Sequence, residues 1–263
     1  MIRLISYGDS WTEGVGCNSK VELKITNVDE RRAFRLNYSW PYLLSKLLNV
    51  KCDNRGISGS SNNQIFNKIV SDIMNREITS DDFVIIMWSS TLRDQVSFFP
   101  NGQWHVWSKH YIEDSFKKTH FIDVKKTQDN TYNNFLSKYK DFYITNLFNQ
   151  TYYNIINQNY IIFLQELFNE YKIKYLFIDA FDSMIQSPNE TELRLDLIEK
   201  NNYWEFGTKT IRDFLINVGD SSVWESASSF KKIPNKHPSA RGYKLISEML
   251  YNYLNDKKET NEL

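Results

Sequence analysis

The stretch Met1-Ile2-Arg3-Leu4-Ile5-Ser6-Tyr7-Gly8-Asp9-Ser10-Trp11-Thr12-Glu13-Gly14 decides how the rest of the chain is read. Ile2 to Tyr7 is a short, largely apolar run that stops at a glycine, the pattern of a buried strand. A serine on a tight, glycine-containing turn at a strand tip can project its hydroxyl into a crevice. Neighbouring backbone N–H groups then point at the same spot.

Working outward, Trp40, Leu43, Leu44, Leu47 and Leu48 recur at helical spacing, with Ser39 as cap and Pro41 in the first turn. Val50 to Asn54 is expected to be a second strand. Ser60 or Ser61 is expected to cap a helix whose inner face is Ile65, Phe66, Ile69, Val70, Ile73 and Met74. Phe83 to Trp88 is wholly apolar and reads as a central strand. From Ser97 to Asn134 the pattern breaks; this stretch holds three of the four histidines and many aromatics. A long helix is expected over 139–171, with Tyr153, Ile156, Tyr160, Phe163, Leu164 and Leu167 on one face. Lys174 to Asp179 is the next strand. An irregular segment over 180–236 precedes a final helix with Leu245, Ile246, Met249, Leu250, Tyr253 and Leu254 turned inward. Strands alternating with helices argue for a parallel sheet covered on both faces. No repeat or linker is visible, so one domain over 1–263 is expected, with insertions at about 97–134 and 180–236.

Composition sets the broad class. The chain has 263 residues, 41% hydrophobic and 15% aromatic, enough to bury a sizeable core. Basic and acidic residues both number 32, so no overall field draws it to nucleic acid or anionic membranes. Two cysteines, Cys17 and Cys52, do not make a disulfide framework. The N-terminus lacks the features of a signal peptide, which points to a cytoplasmic or virion-associated protein. No apolar run approaches the ~18 residues of a membrane span.

In an open parallel sheet, ligands bind beyond the carboxyl ends of the strands. Polar clusters fall at three such ends: Gly8 to Gly14, Asn54 to Asn62 and Trp88 to Asp94. A fourth, Asn235 to Ser239, opens the last helix. A serine nucleophile needs a base at hydrogen-bond distance, and histidine is the usual one. His237 is the histidine outside the 97–134 stretch; with Pro238 at a helix N1 position its ring would stand at the same rim. Glycines 56 and 59 allow the backbone to approach a reacting carbonyl and offer an N–H to its developing oxyanion. No Gly-x-x-x-x-Gly-Lys run, Gly-x-Gly-x-x-Gly run or His-Glu-x-x-His is present, so neither a nucleotide, another cofactor nor a metal is implied.

Together these blocks resemble the SGNH (GDSL-like) hydrolases. Gly8-Asp9-Ser10 resembles the first block of that family, Gly59 the second and His237-Pro238 the last. Trp40-Pro41, Gly59-Ser60-Ser61-Asn62 and Trp88-Ser89-Ser90 look like a divergent branch found among phage and environmental sequences. The resemblance implies an α/β protein with a flavodoxin-like three-layer α/β/α sandwich. It also implies ester hydrolysis through an acyl-enzyme on Ser10, with Asp9 counted in the site. The oxyanion would be held by the N–H groups of Ser10 and Gly59 and a block-three asparagine. Two departures stand out. Block three reads Trp88-Ser89-Ser90-Thr91, with Ser90 where the asparagine belongs, which leaves Asn62, Ser90, Thr91 or two backbone donors alone to complete the hole. Pro234 stands where the family's Asp-x-x-His places its acid, so a carbonyl or Asn235 would have to orient His237. The expected substrate is a small acyl ester, such as an O-acetyl group on a glycan. Trp104 and Trp107 suit a carbohydrate or a lipid equally. The alternative is an SGNH-fold binding or structural protein that has lost catalysis.

Overall fold

A computed structural model describes residues 3–91, 93–98, 103–109, 119–122, 150–184, 194–225 and 237–259. In chain order it comprises β1 (Arg3–Tyr7), α1 (Ser10–Glu13), α2 (Ser19–Glu22), α3 (Val28–Leu36), α4 (Trp40–Leu48), β2 (Lys51–Asn54), α5 (Asn62–Met74), β3 (Asp82–Trp88), β4 (Arg93–Phe98), β5 (Gln103–Lys109), β6 (Thr119–Ile122), α6 (Gln150–Glu170), β7 (Lys174–Asp179), α7 (Ile211–Asn217) and α8 (Ala240–Glu259).

Four strands form a parallel sheet in the order β2-β1-β3-β7. Numbered within that sheet alone, the order is 2-1-3-4, the start of the flavodoxin pattern. The sequence of β3 contains no residue that favours solvent except its first, and all seven residues are buried. Its side chains alternate between two cores, as the strand's period of two requires. Phe83, Ile85 and Met87 face Trp40, Leu44, Tyr243, Ile246 and Leu250 of α4 and α8. Val84, Ile86 and Trp88 face Ile65, Ile69, Ile161, Leu164 and Phe168 of α5 and α6. The fold is thus a three-layer α/β/α sandwich, held chiefly by burial of such side chains at roughly 1.5–3 kcal/mol each.

Local chemistry explains the helix starts. Ser61 caps α5 through a reciprocal capping box with Gln64. Pro41 sits in the first turn of α4, but the Ser39 hydroxyl does not cap that helix: it donates to the Leu36 carbonyl and accepts from the Asn54 amide.

Four expectations are corrected. The stretch expected to be irregular over 97–134 carries β4, β5 and β6, which form an antiparallel sheet that begins at Arg93. The 180–236 stretch contains α7, capped by Thr210 and Asp213 with Ile211 and Leu215 buried. The buried face of α6 is Asn154, Asn157, Gln158, Ile161, Leu164, Gln165 and Phe168, while Phe163 is half exposed; four amides on the inner stripe hid its apolar period. Residues 139–149 lie outside the described part. Finally, Pro238 is not at the first position of α8. It pairs with Trp224 in an isolated antiparallel bridge, held by Glu225 N–H to His237 C=O (2.9 Å) and Ser239 N–H to Val223 C=O (2.8 Å). Neither bond needs an N–H from proline.

Candidate active site

Ser10 is the first residue of α1, a single helical turn begun directly after β1. Asp9 caps that turn by accepting the Trp11 N–H at 2.9 Å. The cap and Ser10 are therefore fixed by the same tight turn. The Asp9 carboxylate also accepts from Ser89 Oγ at 2.9 Å and from Arg93 Nη1 at 2.7 Å.

The loop after β2 is tied to α1 from several sides. Asn54 Nδ2 donates to Thr12 C=O (2.7 Å), Ile57 N–H to Gly8 C=O (3.0 Å) and Ser58 N–H to Glu13 Oε2 (2.6 Å). Glu13 is in turn held by Arg35, which also pairs with Glu22. Gly56 packs its backbone against Thr12 and Glu13, so it serves the contact between loop and helix. Gly59 occupies a left-handed conformation (φ +86°) with open space on the side a Cβ would take. Among the described residues, the amides of Ser10 and Gly59 have no hydrogen-bond acceptor.

The bridge of Trp224 with Pro238 carries His237 to this rim. Its Nε2 lies 3.0 Å from Ser10 Oγ, joining residues 227 apart in sequence. The same bridge aligns Glu225 beside it, with Oε2 3.8 Å from His237 Nδ1. Gly16 makes room for this pair: a Cβ there would fall 2.6 Å from His237 Cβ and 3.0 Å from Glu225 Oε2. Burial pulls the His237 imidazole below its ordinary value, and the carboxylates of Asp9 and Glu22 partly offset it. The shift favours the neutral imidazole, the form that can accept a proton.

The remaining candidates sit elsewhere. Asn62 does not swing over the crevice. Its Oδ1 accepts Ser89 N–H (2.8 Å), and its Nδ2 donates to Ser89 C=O (3.2 Å) and Asn157 Oδ1 (3.3 Å). A buried amide has few alternatives to such backbone partners, so it fastens α5 to the end of β3. Ser90 turns its hydroxyl to Asp182 Oδ2 at 2.7 Å. Thr91 is buried. The side chains of His105, His120, Trp104 and Trp107 lie outside the described residues, as do His110, Pro234 and Asn235 altogether.

Glu225 and Arg93 are the site residues that sequence reasoning missed. No spacing rule links Glu225 to His237, because a backbone bridge brings them together. Arg93 stood in the third polar cluster, without a role. Among the described residues, no group of three or more His, Cys, Asp or Glu side chains could hold a metal ion. No helix there is long and apolar enough to cross a membrane.

Solved structures similar to this chain share 11–14% sequence identity with it. Its structural neighbours include GDSL and SGNH hydrolases. One is a protein assigned to the lipolytic G-D-S-L family from Desulfitobacterium hafniense, with 14% identity and a TM-score of 0.47 over 96% of this chain and 99% of that one. A member of the lipolytic G-D-S-L family from Veillonella parvula is similar at 14% identity and a TM-score of 0.43, over 94% and 95%. An acetyl xylan esterase from the rumen bacterium Butyrivibrio proteoclasticus is similar at 14% identity and a TM-score of 0.43, over 100% of this chain and 65% of that one. No family model and no curated protein matches the chain.

Proposed function

We propose that this protein is a serine esterase that works through an acyl-enzyme. Ser10 is the nucleophile, His237 the general base and Glu225 the group that orients the imidazole. The observation that carries this reading is the 3.0 Å approach of His237 Nε2 to Ser10 Oγ, supported by desolvation that favours the neutral imidazole. Attack on an ester carbonyl passes the Ser10 proton to His237, which returns it to the departing alcohol. Water then repeats the sequence on the acyl-enzyme.

The proposed substrate is a small acyl ester, with an O-acetyl group on a glycan as the first candidate. Trp11 packs edge-on against Phe181 (4.6 Å between ring centroids) and tilted against Trp224 (6.0 Å). Phe181 and Trp224 are half-buried beside the turn that carries Ser10, and aromatic side chains so placed suit the apolar face of a sugar.

One observation favours a second reading, a binding protein that has lost turnover. Asn62 and Ser90 are both committed away from the crevice, so the side-chain oxyanion donor expected of block three is missing. Turnover of p-nitrophenyl acetate separates the two readings. The esterase reading predicts saturable hydrolysis that disappears in Ser10→Ala; the binding reading predicts none above buffer in either protein.

A further inference from the structure

Arg93 opens β4, five residues after Trp88, in the segment that stands where an oxyanion asparagine would be sought. Its side chain is only 9% exposed. Nη1 donates to Asp9 Oδ2 at 2.7 Å and to the carbonyl oxygen of Ser60 at 3.0 Å. Asp9 directly precedes the nucleophile, and Ser60 directly follows Gly59. One guanidinium nitrogen thus spans the two loops whose free amides, those of Ser10 and Gly59, lie at the crevice.

The guanidinium also lies over the Phe181 ring, with Cζ 5.9 Å from the ring centroid, and two of its nitrogens donate to nothing among the described residues. Nε is buried without a partner among the described residues, and Nη2 makes no hydrogen bond among them either. A cation held only to neutralise Asp9 would form the two-pronged fork that arginine and a carboxylate favour. Here the carboxylate takes a single prong, at the Oδ2 that also accepts Ser89 Oγ, while its Oδ1 accepts Trp11 N–H. The positive charge also reaches the general base, since it contributes to lowering the His237 pKa.

We propose that Arg93 is the third donor of the oxyanion hole, supplying with a cation what Asn62 and Ser90 do not supply with a neutral group. The inference rests on the serine-esterase reading. As Ser10 Oγ bonds to the ester carbon, its proton passes to His237 Nε2 and the carbonyl π pair moves to oxygen. That oxyanion is received by the N–H groups of Ser10 and Gly59 and by Nη2 of Arg93, the guanidinium nitrogen that is neither sealed from solvent nor hydrogen-bonded among the described residues. When the carbonyl re-forms, the bond to the alcohol oxygen breaks and His237 protonates it. A fixed cation beside developing negative charge acts more strongly than a neutral amide. Its pairing with Asp9 keeps the resting site close to neutral.

The test compares Arg93→Lys and Arg93→Met with wild type, using p-nitrophenyl acetate and an aryl trifluoromethyl ketone that forms a hemiketal oxyanion on a serine. Lysine keeps a cation for Asp9 and Ser60 but loses the fork, so it decides the matter should the methionine variant fail to fold. The expected result for Arg93→Lys is a kcat lower by about 10²–10³-fold, KM within a few-fold, and ketone inhibition weakened by a similar factor. Arg93→Lys with kcat and ketone affinity within three-fold of wild type overturns the inference. So does a fall in kcat without a matching loss of ketone affinity, which would leave Arg93 as a tie between loops. A wild-type protein without turnover overturns the esterase reading and this inference with it; an active wild type with unmoved Arg93 variants overturns this inference alone.

Discussion

Glu225 and His237 are partners across a backbone bridge: the N–H of one donates to the C=O of the other at 2.9 Å, and their side chains meet with Oε2 3.8 Å from Nδ1. Chain geometry therefore places a carboxylate behind the imidazole although Pro234 occupies the position where the sequence resemblance looks for one. At 3.8 Å the contact is looser than a hydrogen bond, and such contacts tighten as substrate binds.

Removing that carboxylate should slow the reaction and alter its pH dependence. Glu225→Gln and Glu225→Ala are each expected to lower kcat by about 10–10²-fold, less than the ~10⁴-fold known for a tightly bonded triad acid. Loss of a negative charge disfavours the imidazolium, so the acid limb of kcat/KM should move to lower pH. Unchanged kcat and an unmoved limb in both variants would remove Glu225 from the mechanism.

For wild type, the sign of the pH dependence follows from the burial of His237. The base works when neutral, and burial lowers its pKa from the ordinary value. Activity should fall as the pH drops through a midpoint below about 6.5, and be flat above it until another group titrates. A midpoint above 7 in a pH profile of kcat/KM would contradict a base whose partial burial favours the neutral form.

His237→Ala should lose the general base while the fold persists, because Pro238 and the Val223–Ser239 hydrogen bond keep the bridge. The expected kcat is below a hundredth of wild type, by analogy with the ~10⁴–10⁶-fold losses on removing a triad base. Retention of more than a tenth of wild-type kcat would assign the role elsewhere.

Asn62→Ala separates structure from chemistry. Its amide satisfies both backbone groups of Ser89, so truncation leaves buried partners unpaired and should cost about 1–3 kcal/mol. The melting temperature should drop by roughly 2–4 °C per kcal/mol. With the amide pointing away from the crevice, kcat below the melting range should stay within a few-fold of wild type. A stable variant with kcat reduced about 10²-fold would restore Asn62 as an oxyanion donor.

β3 and β7 are legible because their burial is written as apolar runs: Lys174–Asp179 and Phe83–Trp88 are expected to within a residue of their observed bounds. Ser10 was legible through its turn, and His237 through its place near the last helix. The residues that complete the site left no local mark. Glu225 reaches His237 through a bridge between segments twelve positions apart, Arg93 through a strand that follows a broken pattern, and the α6 face through amides that resemble a solvent stripe. Asn62 shows the reverse: a donor of suitable type at a suitable place in sequence, fully used by the backbone of Ser89.

The most direct measurement of the central claim is peptide mass spectrometry after treatment with a fluorophosphonate, run on wild type, Ser10→Ala and His237→Ala. The account predicts one stoichiometric adduct on the peptide that contains Ser10, slowed strongly in His237→Ala and abolished in Ser10→Ala. An adduct on Ser58, Ser60 or Ser90 with Ser10→Ala still reactive, or a wild-type protein that takes up no label, would contradict it.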